Sequence, residues 1–360
     1  MNELDRARLV DEETVMPAVP LWFGALDEER AQSQIDHLGG ARLAADWGSR
    51  LLADDSRLYD PLSYHNGSVW PLFTGWASVG AYRYGRPHVG LRALMSNVLL
   101  GRQWALGYVT ELLSGDFHAP FGRSSHHQVW SEAMTAAPLL RGLLGLEVSD
   151  FGQTVTFAPR LPADWPAIEV RRLRAGASLF DVTLARGGGQ MTIRLLPVGL
   201  PPNGEAKEGV TFVIAPAFPL DARVRSVRVD GRPADFRVER AGDVQTAEFE
   251  VEARRAVEVR IAYEEGSDVY VGFEPAAPGA RSSSLRVLRS TAEGGALRLL
   301  LEGLAGRSYE LRLKTPRAVG PGEGFEAARV GADEHRLTVA FDSSAAGYVR
   351  REVKIPLGGR

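Results

Sequence analysis

At 360 residues the chain has room for two or three domains of ordinary size, each with its own core. Its 44% hydrophobic and 24% charged residues match a globular protein, and a formal net charge of −3 supplies no attraction for nucleic acid or an anionic membrane. The lack of cysteine excludes disulfides, thiolate metal sites and cysteine nucleophiles, and a cytoplasmic setting is expected.

No apolar run approaches the ~18 residues of a membrane helix, and the charged start from Met1 to Arg6 does not read as a signal peptide. Residues 1–20 are read as a leader, with Asp11-Glu12-Glu13 a solvated face or part of a disordered arm. A helical region is expected over 21–146. Asp27 caps a first helix to Leu38, which Gly39-Gly40 ends. From Ser68 to Tyr84 the residues Val69, Trp70, Phe73, Trp76, Ala77, Gly80, Ala81 and Tyr84 recur mostly at spacings of three and four, which predicts one wide helical face. His88 to Gly101 repeats the pattern, and a further helix runs from His127 to Leu144, where Gly145 closes it. Loops rich in Gly, Ser, His and aromatics separate these helices, at Tyr59 to Gly67 and Glu111 to His126.

From Leu146 onward the texture is β. Runs such as Thr154-Val155-Thr156-Phe157, Ser178 to Leu184 and Val257 to Ile261 alternate as strands do, with Gly and Pro turns between many of them. This predicts an antiparallel β-sandwich over 147–266, then a second β-rich domain or an extension of the first over 267–360. Gly187-Gly188-Gly189 reads as a turn, because no Lys-Ser/Thr follows to make a phosphate loop.

Six of the seven tryptophans and six of the seven histidines precede position 131. Aromatic rings stack on the apolar faces of pyranoses while polar groups take the hydroxyls, so a sugar site is expected there; filling a helical core is the plainer explanation of the tryptophans. A metal centre is not expected. The adjacent His126 and His127 would point about 100° apart on a helix, and no His-x3-His pair or acidic cluster accompanies them. A serine hydrolase is disfavoured too, since Ser68 lacks the Gly-x-Ser-x-Gly elbow.

Three segments carry a resemblance. Tyr59-Asp60-Pro61-Leu62-Ser63-Tyr64-His65-Asn66-Gly67-Ser68-Val69-Trp70-Pro71, then Thr110-Glu111-Leu112-Leu113-Ser114-Gly115-Asp116, then Gln128-Val129-Trp130-Ser131-Glu132-Ala133 resemble hallmark segments of the amylo-α-1,6-glucosidase (glycogen-debranching) type of six-hairpin glycosidase. Asp46 to Leu52 is similar to a further family segment. The resemblance covers residues 20 to 200 well and the rest loosely. It implies the C-terminal part of an (α/α)6 toroid followed by antiparallel β-sandwich domains. It also implies an inverting hydrolase of α-glucosidic linkages, with an oligosaccharide or glucan as substrate and no cofactor. Glu111 falls where the family has its catalytic base.

An inverting enzyme needs one carboxylate to take a proton from the attacking water, and a second carboxylic acid roughly 6.5–9.5 Å away to protonate the leaving oxygen. His65, Asn66 and Trp70 are expected to bind the terminal sugar, Trp130 to close the pocket wall, and Asp46 and Arg50 to form a polar rim. The plainer alternatives are that Trp70 and Trp130 pack a core, that His65 caps a helix, and that Asp46 and Arg50 make a surface i, i+4 pair. The family's acid segment has no match before Ala44, and too few helices are counted for a toroid. A second chain or a missing N-terminal region is therefore expected to complete it. The alternatives are a non-catalytic carbohydrate-binding or scaffolding protein and, disfavoured by Glu111, a glycoside phosphorylase.

Overall fold

The computed structural model describes residues 2, 3, 8, 9, 11–104, 106–199, 204, 209–343 and 346–359. The fold is mostly β, with one helical layer toward the N-terminus. Five α-helices form that layer among the described residues: α1 (Ala18–Phe23), α2 (Glu28–Gly39), α3 (Pro71–Arg83), α4 (Pro87–Leu100) and α5 (Val129–Ala137). A π-helical turn, Pro138–Leu143, extends α5. A toroid of six helical hairpins is not evident, and the five helices instead group around α3, which α1, α4 and α5 all pack against. That close packing needs small residues. A Cβ added at Gly75 would lie 2.4 Å from Met134, and one at Gly80 would lie 2.6 Å from Leu21.

The helix ends follow local chemistry. Asp27 caps α2, its carboxylate accepting from the Arg30 N–H at 2.9 Å. Helix α3 begins at Pro71 rather than Ser68, because Val69 is held as an extended residue between Arg50 and Leu113. Proline at the first helical position suits both α3 and α4, where its missing N–H has no intrahelical partner to lose. Of the expected leader, residues 1, 4–7 and 10 lie outside the described residues. Within 11–20, Val15 and Ala18 are fully buried in the helical core and Thr14 bridges Leu52, while Asp11 and Met16 are exposed.

The β region begins with two six-stranded sheets. One runs, in order, Ala217–Pro219, Val244–Ala253, Val210–Ile214, Thr154–Phe157 and Leu146–Ser149, with Arg237–Ala241 also on Val244–Ala253. The other runs Arg232–Ala234, Arg223–Val229, Val257–Glu264, Gln190–Pro197, Ser178–Gly187 and Ala167–Ala175. Alternate residues face inward, so Phe157, Phe180, Ile193, Phe212 and Val259 meet in one core. Each such side chain contributes roughly 1.5–3 kcal/mol on full burial. The sandwich is not wholly antiparallel. Val210–Ile214 pairs in parallel with Thr154–Phe157, because the chain crosses to the other sheet for three strands before returning.

Beyond Glu264 a four-stranded and a three-stranded sheet enclose a core of their own, with Leu299, Leu313, Leu337 and Ile355 fully buried. The segment 271–285 links these sheets and crosses the helical layer. There His118 exchanges backbone hydrogen bonds with Gly279 and Ala280, and the Gln103 amide donates to Ala276 O at 2.8 Å. No helix among the described residues is long and apolar enough to cross a membrane.

Candidate active site

The loop 59–67 and the segment 110–116 are brought together by Val69. Its N–H donates to Leu113 O at 2.8 Å and its carbonyl accepts from Leu113 N at 2.9 Å. Both glycines of the two motifs sit at the contact. A Cβ at Gly67 would meet Asp60 O at 2.5 Å, and one at Gly115 would meet Gly67 O at 2.3 Å. Tyr59 then donates its hydroxyl to Asp116 at 2.7 Å, closing the loop.

Glu111 lies under this loop, 7% exposed. One carboxylate oxygen accepts a short hydrogen bond from the Tyr64 hydroxyl, and the other accepts from Ser125 N–H at 3.2 Å. The hydrogen bond to Glu111, then burial, raises the Tyr64 phenol above its ordinary value, so Tyr64 stays a proton donor toward the carboxylate. The Glu111 N–H donates to Ser125 O at 2.8 Å, which fixes the residue from both ends. A carboxylate has about four lone-pair sites, so two donors leave it able to accept from a water.

His65 and Asn66 are exposed beside this cluster. The His65 ring meets Tyr64 edge-on at 4.8 Å and lies parallel to Trp70 at 6.2 Å. Trp70 is 6% exposed and belongs to the helical core; its indole N–H donates to Ser68 Oγ at 2.9 Å and to Tyr64 O at 3.2 Å. Trp130 opens α5 and is 40% exposed, next to the exposed Val129.

Asp46 and Arg50 are elsewhere in character. They do not pair with each other: residues 44–49 form a tight hairpin, Ala44–Ala45 with Gly48–Ser49, rather than a helix that would place i and i+4 on one face. Asp46 pairs with Arg92 at 3.0 Å and Arg286 at 3.5 Å, and accepts from Ser283 N at 2.7 Å and Ser284 Oγ at 2.6 Å. Arg50 is 5% exposed and donates to Ala41 O at 2.6 Å and Gly115 O at 2.8 Å. Arg50 therefore braces the Gly115 turn from below, and Asp46 ties the helical layer to the strands beyond 285.

Two residues at the centre escaped sequence reasoning, although the signal for one was in plain view. Tyr64 stands inside the segment that carries the resemblance, directly before His65. Ser125 contributes only backbone atoms to Glu111, and no residue type would have marked it. The histidines do not gather. His118 is buried between Trp47 and Trp104 with its Nδ1 2.8 Å from Ala276 O; His127 stacks on Tyr108 at 4.0 Å. Among the described residues no three His, Asp or Glu side chains converge as a metal site would require.

No family model matches the sequence. No curated protein matches it either. Among solved structures the chain is similar to an alpha-L-rhamnosidase from Dictyoglumus thermophilum, at 12% identity and a TM-score of 0.45, over 69% of this chain and 25% of that one. It is also similar to a GH127 beta-L-arabinofuranosidase from Geobacillus stearothermophilus, at 9% identity and a TM-score of 0.33, over 95% of this chain and 58% of that one. A third is an uncharacterized conserved protein from Thermus thermophilus, at 22% identity and a TM-score of 0.31, over 37% of this chain and 32% of that one. The chain thus spans a quarter to under two thirds of these proteins, and at such scores they assign neither fold nor activity to it.

Proposed function

We propose that the chain is a component of an inverting glycoside hydrolase of the debranching, six-hairpin type, acting on α-glucosidic linkages, with Glu111 as general base. The observation that carries this reading is the buried Glu111 carboxylate held by Tyr64 and Ser125 at the edge of an exposed His65–Asn66 loop. In the reaction a water attacks the anomeric carbon and gives its proton to Glu111, while an acid protonates the departing glycosidic oxygen. Tyr64 and Ser125 N–H aim the carboxylate; His65 and Asn66 offer donors and acceptors to sugar hydroxyls. The exposed Trp130 takes the place of a stacking face, and Trp70 supports His65 from the core. The acid is not assigned to any described residue. It is supplied by a further segment or a second chain that completes the helical layer into a toroid.

In the assembly that supplies the acid, Glu111→Gln should abolish release of glucose from isomaltose, panose or maltotriose while sparing sugar affinity, with the product anomer followed by NMR. Full activity in that variant would remove the central assignment. The second reading, a carbohydrate-binding protein without catalysis, holds if no carboxylic acid comes to stand roughly 6.5–9.5 Å from Glu111. It predicts sugar binding with no turnover in any assembly containing the chain.

A further inference from the structure

Away from Glu111, a cleft opens where helix α4, the sandwich and the C-terminal sheets meet. Its main cavity measures 370 Å³ and an adjoining one 210 Å³. The two share Pro87, Arg160, Leu161 and Asp268, and neither has a residue in common with the Glu111 cluster. Ligand sites of this size favour junctions between folded units.

Six charged residues line the larger cavity: Arg160, Arg186, Lys314, Glu265, Asp268 and Asp333. They are balanced in sign, yet no ion pair among the described residues joins one of these cations to one of these acids. Arg160 donates from Nη1 to Ala158 O at 2.9 Å, and its Nε is buried with no acceptor. Arg186 donates to main-chain carbonyls, including Trp165 O at 3.0 Å. Glu265 accepts from Gly189 N at 3.0 Å, and Asp268 faces His88 at 3.1 Å.

Donors and acceptors that stand apart on the walls of one cavity fit a ligand that both donates and accepts around its whole rim and carries no net charge. A sugar ring has that chemistry: each hydroxyl is a donor and an acceptor. An anion would meet the three carboxylates, and a cation the two guanidiniums. The apolar part of the lining suits the C–H face of such a ring. Tyr263 lies edge-to-face with Phe218, centroids 4.9 Å apart, with Pro166 and Pro219 beside them. At the mouth Gly187 and Gly188 leave open space, since a Cβ on either would have no heavy atom within 4 Å.

We propose that this cleft is a second saccharide site, taking a neutral mono- or disaccharide unit, with Arg160, Lys314 and Asp333 as polar contacts and Tyr263 as the stacking face. The proposal stands on the cleft's own residues and shares with the reading of Glu111 only the class of ligand. The test is calorimetric titration of the intact chain with glucose, isomaltose and glucose 6-phosphate, with hydrogen exchange measured in the bound state. The double variant Lys314→Ala/Asp333→Ala changes rim positions and is compared with the wild type at matched thermal stability. The expected result is saturable binding of the neutral sugar, protection from exchange over 160–166 and 263–268, and at least tenfold weaker binding in the double variant. Three results would each overturn it. One is protection confined to 59–70, which would place the sugar only at the Glu111 cluster. Another is unchanged affinity in the double variant. The last is preference for glucose 6-phosphate over glucose, which would make the cleft an anion site. Turnover is not read in this experiment, so loss of the Glu111 assignment would leave its outcome intact.

Discussion

On the sandwich, Arg194, Glu258 and Arg260 form a ladder over two neighbouring strands at 2.6–3.0 Å, and Arg237 pairs with Glu248 in the same way, all on faces open to water. In the helical layer exposed pairs such as Arg30–Asp27 and Arg42–Asp55 also occur, but a buried set leads out of the layer. Arg86, 1% exposed, holds Asp36 at 2.6 Å and Asp243 at 3.2 Å; Asp36 also binds Arg289, and Asp46 binds Arg92 and Arg286. These exposed pairs on the sandwich strands sit in water, where such pairs contribute little. The helical layer is fastened to the β region through desolvated charges, where the loss of one partner leaves the other stranded.

The comparison can be broken most directly at Asp46. Burial works against its charge, but Arg286 and Arg92 outweigh that and hold the carboxyl below the ordinary range; burial and the neighbouring Arg286 push Arg92 down to about 10. Asp46→Ala leaves two buried guanidiniums unpaired and should cost about 3–5 kcal/mol of stability by urea denaturation. A loss below about 1 kcal/mol, the scale of an exposed pair, would show that the seam is not what holds the layers.

Two histidines sharpen the comparison through pH. Burial lowers His118 below its ordinary value despite the carbonyls of Ala276 and Ala277. The unfolded chain therefore binds the proton more readily, and the stability due to His118 is complete above about pH 6.5 and falls as pH drops through the folded value. His88 is opposite: burial disfavours its charge, but Asp268 outweighs burial and raises it. Its contribution is complete below about pH 6.5 and is lost as pH rises through the folded value. Denaturation midpoints from about pH 5 to 9 should show wild type losing ground to His118→Phe at the acidic end, and to His88→Asn at the alkaline end. The smallest effect belongs to the sandwich. Glu258→Ala should leave the denaturation midpoint nearly unchanged, and salt should shrink even that small effect.

How far the sequence could be read follows the same division. Strand alternation is a local signal, and the runs around Phe157, Phe180 and Ile261 were legible because each strand buries its own alternate residues. The α2 cap at Asp27 was equally local. The toroid was expected from family resemblance and is not evident, because helix count depends on how many segments share one core. Within the candidate site, the nearness of Glu111 to the His65 loop came from motif order. The Tyr64–Glu111 bond spans 47 positions, and no periodicity reports such a contact. The partners of Asp46 were out of reach of the sequence for the same reason. Ser283, Ser284 and Arg286 stand 237 to 240 positions away.

That separation has a consequence for the order in which the molecule assembles. The sandwich strands between 146 and 264 can find one another as soon as they leave the ribosome. Ala41, whose N–H donates to Glu302 at 2.5 Å across 261 positions, cannot be satisfied until nearly all of the chain exists. Contacts of such span close slowly, because a long loop must be ordered before they form. The helical layer, which precedes these strands in the chain, is therefore tied to them last, through contacts such as Ala41 to Glu302.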